Sequence, residues 1–126
     1  MLFDTDVLIW AQRGDPKAID LVSDAAERAV SVLTYMELLQ GARNHAEART
    51  IKNFLIEGVF QVLPLTENIG HRALIYIEEY VLSSGIRSGD AIIAATAVEN
   101  GFLLVSGNRK HYKPLRELQF RIFRPK

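Results

Sequence analysis

The chain has 126 residues, 48% of them apolar and 24% charged, with fifteen basic side chains against fifteen acidic ones. That length supports one hydrophobic core without covalent staples, and the lack of cysteine excludes disulfides, thiol catalysis and cysteine-bound zinc. No apolar run approaches the roughly 20 residues of a membrane span and no basic-then-apolar leader stands at the front, so one domain over residues 1–126, in the cytoplasm, is expected.

Residues 1–4 read as a short buried strand and residues 7–12 as a short helix. Asp15-Pro16 is a helix start, with Asp as cap and Pro at the first helical position; Ile19, Val22 and Ala26 then follow at helical spacing. Residues 29–33 (AVSVL) predict a second strand. Thr34 opens a helix to about Gly41 and forms a capping box with Glu37. Residues 46–57 predict another helix, with Ile51 and Phe54 on its apolar side and Gly58 as its stop.

Residues 60–63 form a strand ended by Pro64. Thr66 caps a long helix with an apolar face of Ile69, Ala73, Ile77 and Val81. Residues 91–99 (AIIAATAVE) are apolar nearly all round and rich in Ala, as in a buried helix lying close against a sheet. Residues 102–105 are the next strand, and residues 118–123 alternate as an edge strand does. Trp10 and Met36, like Ile51 and Phe54, are assigned to the core. Strands alternating with helices predict an α/β domain with a mainly parallel sheet.

Asp4 and Asp6 stand one residue apart at the end of the first apolar run, where carboxylates are costly unless they meet a cation or a hydrogen-bond donor. In open α/β sheets ligands bind beyond the carboxyl ends of the strands. Asp4, Glu37, Asp90 and the Ser106-Gly107-Asn108 stretch all fall there. Each acid also has a plain structural reading as a helix-start residue. Together, three carboxylates with no Lys or Arg in their segments repel. Oxygen-only ligands of this kind suit Mg²⁺ or Mn²⁺.

The stretches FDTDVLI (3–9), SVLTYMEL (31–38), GDAIIAATA (89–97) and LVSGNRKHY (104–112) resemble, in order, the successive motifs of PIN-domain ribonucleases, in particular the VapC-type toxins of toxin–antitoxin pairs. The resemblance covers essentially the whole chain. It implies a three-layer α/β/α sandwich and an endoribonuclease dependent on Mg²⁺ or Mn²⁺. It also implies an RNA substrate, a small cognate antitoxin and a homodimer. By resemblance, Asp4 and Asp90 are the direct metal ligands. Glu37 completes the acidic pocket, holding a metal-bound water or assisting its deprotonation.

Two positions depart from the family pattern. Asp6 stands where Asn is common, and either binds metal or supports the turn. Asn108 falls at the fourth acidic position; it can accept a hydrogen bond from a metal-bound water but brings no charge, which leaves a second metal open. Thr5 and Ser106 match small hydroxyl positions that support the pocket. Tyr112 matches the usual aromatic, read here as packing.

Residues 1–106 hold fourteen acids against eight bases, and residues 107–126 hold seven bases against Glu117 alone. Within that basic segment Arg109, Lys110 and Lys113 are placed to hold RNA phosphates. A partner helix is expected in a groove of the short helices that follow the first two strands.

Two rival readings stay open. Asp4-Thr5-Asp6 also fits the Asp-x-Asp of haloacid-dehalogenase-type phosphatases, with Asp4 as nucleophile, although the later lysine and acid pair of that family have no match. A non-catalytic PIN-like domain that only binds RNA or a partner is the other.

Overall fold

In the computed structural model, which describes residues 1–126, the pair Leu2–Phe3 is shut off from solvent and forms β1, the middle of a five-stranded sheet. The strand order is β3-β2-β1-β4-β5, with β2 at Ala29–Ser31, β3 at Gln61–Leu63, β4 at Leu104–Ser106 and β5 at Phe120–Ile122. All four pairings are parallel; Leu2 lies opposite both Ala29 and Leu104, and Phe3 opposite Val105. Every strand therefore ends on the same side of the sheet.

Seven helices cover the two faces: α1 (Thr5–Gln12), α2 (Pro16–Asp24), α3 (Val32–Gln40), α4 (His45–Glu57), α5 (Glu67–Ser84), α6 (Ser88–Asn100) and α7 (Arg109–Tyr112). Successive strand side chains point to opposite faces, and this splits the core in two. Leu2, Ala29 and Leu104 pack with Ile69, Ala73 and Tyr76 of α5 and the alanines of α6. Phe3, Val30 and Val105 pack with Val7, Leu8, Val22 and Leu55 on the other side. Ala91, Ala94, Ala95 and Ala97 are all inaccessible, as their small size and the apolar run predict. No helix is long and apolar enough to cross a membrane.

The predicted elements are all present, and Asp15 and Thr66 cap their helices through Ala18 N–H (3.0 Å) and Ile69 N–H (3.2 Å). Several boundaries and faces differ. The second strand stops at Ser31 rather than residue 33, because the Ser31 hydroxyl accepts from Leu33 N–H (3.1 Å) and starts α3 there. Thr34 is consequently no cap, and no capping box joins it to Glu37. It lies inside α3, fully buried. In α2 Val22 faces the core as predicted, but Ile19 and Ala26 are exposed, and Ala18 and, at the C-cap, Ala25 are buried in their place. Trp10 and Met36 are also exposed, at 37% and 50%, and Val81 lies on the outer side of α5.

The stop of α4 is shifted too. Phe60 N–H donates to Leu55 O and Val59 N–H to Ile56 O (both 3.0 Å), the double bond of a Schellman ending. The left-handed residue is Val59 (φ +54°), not Gly58. Gly58 is needed for a different reason: a Cβ there would lie 2.6 Å from the Phe60 ring. A β-branched residue at positive φ is strained, and Val59, 77% exposed, recovers little by burial. Val59→Gly is expected to stabilise the fold by about 0.5–1 kcal/mol, a rise of roughly 2–4 °C in melting temperature. A scan of both proteins by circular dichroism checks this; a lower midpoint would contradict the strain.

Candidate active site

Asp4 follows β1 directly and caps α1, its Oδ1 accepting from Thr5 N–H (2.8 Å). Its Oδ2 accepts from the Ser106 hydroxyl at the end of β4 (2.7 Å). The residue is buried, only 7% exposed, and no cation pairs with it. Burial first, and then the neighbouring Asp6 charge, push its pKa from the 3.8 of a free side chain up to about 6, against the pull of those two donors.

Glu37 lies in the second turn of α3 and is exposed, with Oε1 accepting from the Thr5 hydroxyl (2.8 Å). Thr34 Oγ1 lies 3.1 Å from the same hydroxyl, so Thr5 joins α1 to α3. Asp90 occupies the first turn of α6 and half of a cap, accepting a long bond from Arg87 N–H (3.4 Å). Its main partners come from α7. His111 Nδ1 lies 2.6 Å from Oδ2, and because a carboxylate only accepts, the ring proton belongs on Nδ1. The Tyr112 hydroxyl donates to Oδ1 (3.3 Å). Tyr112 is inaccessible and packs on Phe120, as predicted; burial, followed by the Asp4 and Asp90 charges, holds its hydroxyl well above the usual pKa.

Asn108 caps α7, its Oδ1 accepting a long bond from His111 N–H (3.4 Å). Asp6 looks elsewhere: Oδ2 accepts from Gly107 N–H and Oδ1 from Val7 N–H, each at 2.8 Å. Burial, its largest influence, keeps the Asp6 pKa raised despite these bonds.

Asp4, Thr5, Asp6, Glu37, Asp90 and Asn108 thus line one cleft of about 490 Å³ beyond the carboxyl ends of the strands. Ser106 supports it from beneath. The expectation of a cleft without a cation needs correcting, since the exposed Arg87 also lines it, although no ion pair ties Arg87 to Asp90. Arg109, Lys110 and Lys113 line a separate pocket of about 660 Å³, joined to the cleft at Asn108.

The donors suit a small hard cation. No three carboxylates and imidazoles close on one point. Mg²⁺, however, is commonly held by one or two carboxylates, with water and substrate phosphate completing its shell. Asp4 and Asp90 supply two. A buried carboxylate faced only by a hydroxyl and an amide is the kind of group a cation relieves.

The PIN domain family model matches residues 1–115. The chain belongs to the PIN domain family. Ribonuclease VapC19 of Mycobacterium tuberculosis is 31% identical over 123 residues, covering 94% of this PIN domain and 96% of the relative. A toxin–antitoxin complex from Klebsiella pneumoniae has a chain 25% identical, with a TM-score of 0.79 over 99% of this chain and 97% of that one. VapBC2 from Rickettsia felis, bound to a DNA fragment from their promoter, gives a TM-score of 0.80 over 98% of both chains; at 16% identity it shows the shared PIN fold alone.

Three residues of this PIN domain escaped the sequence reading. His111 carried a faint signal, one helical turn after Asn108, and Arg87 another, one turn before Asp90. Arg124, which lines the basic pocket with Arg109, Lys110 and Lys113, carried none, because its place depends on how the C-terminal segment folds back.

The raised Asp4 pKa has a sign. In metal-free buffer the folded state holds the Asp4 proton more tightly than the unfolded state. Its contribution to stability is full below about pH 4 and is lost as pH rises through about 6. Asp4→Asn removes the charge and keeps the shape. With EDTA at pH 7.5 it is expected to raise unfolding free energy by on the order of 2 kcal/mol, with much less gain at pH 4. Urea titrations at both pH values measure this; an equal or negative change at pH 7.5 would show that Asp4 is not destabilised as a buried anion.

Proposed function

We propose that this PIN domain is a divalent-metal-dependent endoribonuclease and acts in the cytoplasm as the toxin of a two-component toxin–antitoxin system. The observation that carries the reading is Asp4: a carboxylate enclosed at the centre of a parallel sheet, uncompensated by any cation, and sharing its cleft with Asp90 and Glu37. The relative named as a ribonuclease supports the same reading.

Asp4 and Asp90 would hold Mg²⁺ or Mn²⁺. Bound there, the ion activates a water and neutralises charge developing on the phosphodiester. The rest of the work falls to the chain. Thr5 N–H and Ser106 fix the Asp4 carboxylate, and His111 and Tyr112 fix that of Asp90, so neither has to reorganise during the reaction. Glu37, at the exposed rim, is the general base for the attacking water. Thr5 orients it, and Asn108, which lines the same cleft, offers an amide to water or a phosphate oxygen. Arg87 faces the anionic oxygens of the substrate at the mouth of the cleft.

A small antitoxin has a place to dock. A groove of about 520 Å³ runs between α1, α3 and α4, where Ile9, Leu38 and Ile51 form its apolar lining, and it reaches the acid cleft through Ile9 and Glu37. It lies on the short helices after the first two strands. An antitoxin helix seated there would also reach the exposed Trp10, Met36 and Leu39. A homodimer is the expected assembly.

The phosphatase reading fits poorly. Both Asp6 oxygens accept backbone N–H bonds, which leaves that carboxylate ill placed to shuttle protons, and no lysine lines the cleft.

Purified protein is expected to cleave structured RNA with added Mg²⁺ or Mn²⁺ and to stop in EDTA. Asp4→Ala and Asp90→Ala should each abolish cleavage. If both variants cut as well as wild type without metal, this mechanism is wrong. Glu37→Gln keeps the acceptor for Thr5, so its melting temperature should stay within about 1 °C. Its cleavage rate should fall by roughly 10²–10⁴-fold. Unchanged cleavage would remove Glu37 from the mechanism. Strong RNA binding by wild type without cleavage in either metal would favour the binding-only reading.

A further inference from the structure

The basic C-terminal segment has one acid, and that acid is committed elsewhere. Glu117 Oε1 accepts from Arg72 and from the Tyr76 hydroxyl, which ties the segment to α5. The side chains of Arg109, Lys110 and Lys113 have no carboxylate within ion-pair distance. They line a pocket with no hydrophobic residue in it, together with Arg124. Asn108 lines both this pocket and the acid cleft, and Gly107 beside it lines the basic pocket.

Gly107 is held from two sides. Asp6 Oδ2 accepts from Gly107 N–H, and Arg124 Nη1 donates to Gly107 O, both at 2.8 Å. Arg124 Nη1 also lies 3.2 Å from Phe123 O, while Nε and Nη2 make no hydrogen bond. The guanidinium is thus pinned by one nitrogen and has donors to spare. No side chain fits at residue 107, where a Cβ would lie 2.8 Å from Asp6 Oδ2 and 3.3 Å from Phe123 O. The strand around Arg124 is fixed as well: Phe123 N–H donates to Ser106 O (2.8 Å) and Lys126 N–H to the buried Asp15 (2.9 Å).

We propose that this basic pocket is a subsite for an RNA phosphate adjacent to the one being cleaved, and that Asp6 and Arg124, gripping Gly107 from either side, set its position relative to the acid cleft. Four cations with no carboxylate within ion-pair distance suit a phosphate. The shared Asn108 wall suits a strand that continues from one site into the other. Asp6 is then a positioning residue and not a metal ligand. The proposal rests on the ribonuclease reading.

The test is binding of a fluorescein-labelled 12-nucleotide oligoribonucleotide, followed by anisotropy in EDTA from 50 to 300 mM NaCl. Arg124→Ala should weaken binding by roughly 5–20-fold at 100 mM salt and make the slope of log K against log salt shallower by about 0.7. Lys52→Ala, on the exposed side of α4, should do neither. Asp6 provides the sharper comparison. Removing its charge beside a phosphate site would tighten binding by Coulomb's law alone. The clamp requires Asp6→Ala to weaken it at least threefold, and Asp6→Asn, which loses the charge but still offers Gly107 an acceptor, to bind as tightly as wild type or more tightly.

Arg124→Ala binding within twofold of wild type with an unchanged slope overturns the subsite. Asp6→Ala binding as tightly as wild type overturns the clamp. Should Asp6→Ala fail to melt cooperatively, Arg124→Ala and Lys110→Ala decide the subsite. Cleavage assays in Mg²⁺ separate the two readings: wild type that never cuts defeats the ribonuclease assignment, whereas Arg124→Ala cutting with unchanged KM defeats only the subsite. Loss of a co-purifying acidic protein from Arg124→Ala, with RNA affinity intact, would make the pocket a protein-docking surface and end the proposal.

Discussion

A single enclosed carboxylate sets the terms for the rest of this molecule. Asp4 leaves the middle strand of the sheet at a point where two hydrogen-bond donors are too few to offset its lost hydration. The chain tolerates it because β1 is only two residues long and its end opens on the cleft. Beside its sequence neighbours Thr5 and Asp6, Asp4 meets groups from distant parts of the chain there: Ser106 from β4, Asp90 from α6, and Glu37 through Thr5. The local instability and the candidate chemistry are the same fact. A site that binds a cation well must be uncomfortable without one.

The parallel sheet makes this convergence possible. With every strand running the same way, the ends of β1, β2 and β4 and the start of α6 gather on one rim. The two packed faces below have different duties. The α5–α6 face is close-packed around alanines, which fixes α6 and hence Asp90 against the sheet. The opposite face is covered by short helices and leaves the apolar groove that leads toward Glu37. A rigid side thus holds one acid while an open side presents another.

Much of this was legible in the sequence because the signals are local. An apolar run ending in Asp4, the Asp15-Pro16 start, the Thr66 cap and the alanine run of α6 each state their structure within a few residues. The errors are of another kind. AVSVL reads as a strand by β-branched content, but a serine hydroxyl able to cap a helix wins at Ser31. An offset of one residue, about 100° around a short helix, exchanges Ala18 for Ile19. Trp10 and Met36 look like core residues by type, and only the packing of α1 and α3 shows that they face outward. Asp6 could not be assigned from sequence at all, since its partner Gly107 lies 101 residues away. Arg124 was out of reach for the same reason.

The bond from Ser106 to Asp4 spans 102 residues, and the cleft closes only when β4 slides in beside β1. Contacts of such long range form late, after the loop-closure entropy has been met by the rest of the fold. During synthesis β1 and its carboxylate emerge 102 residues ahead of Ser106. Until Ser106 and the α7 residues have left the ribosome, Asp4 has no hydroxyl partner and Asp90 no imidazole. The growing chain therefore carries the candidate site in two halves until Ser106 and α7 have both been made.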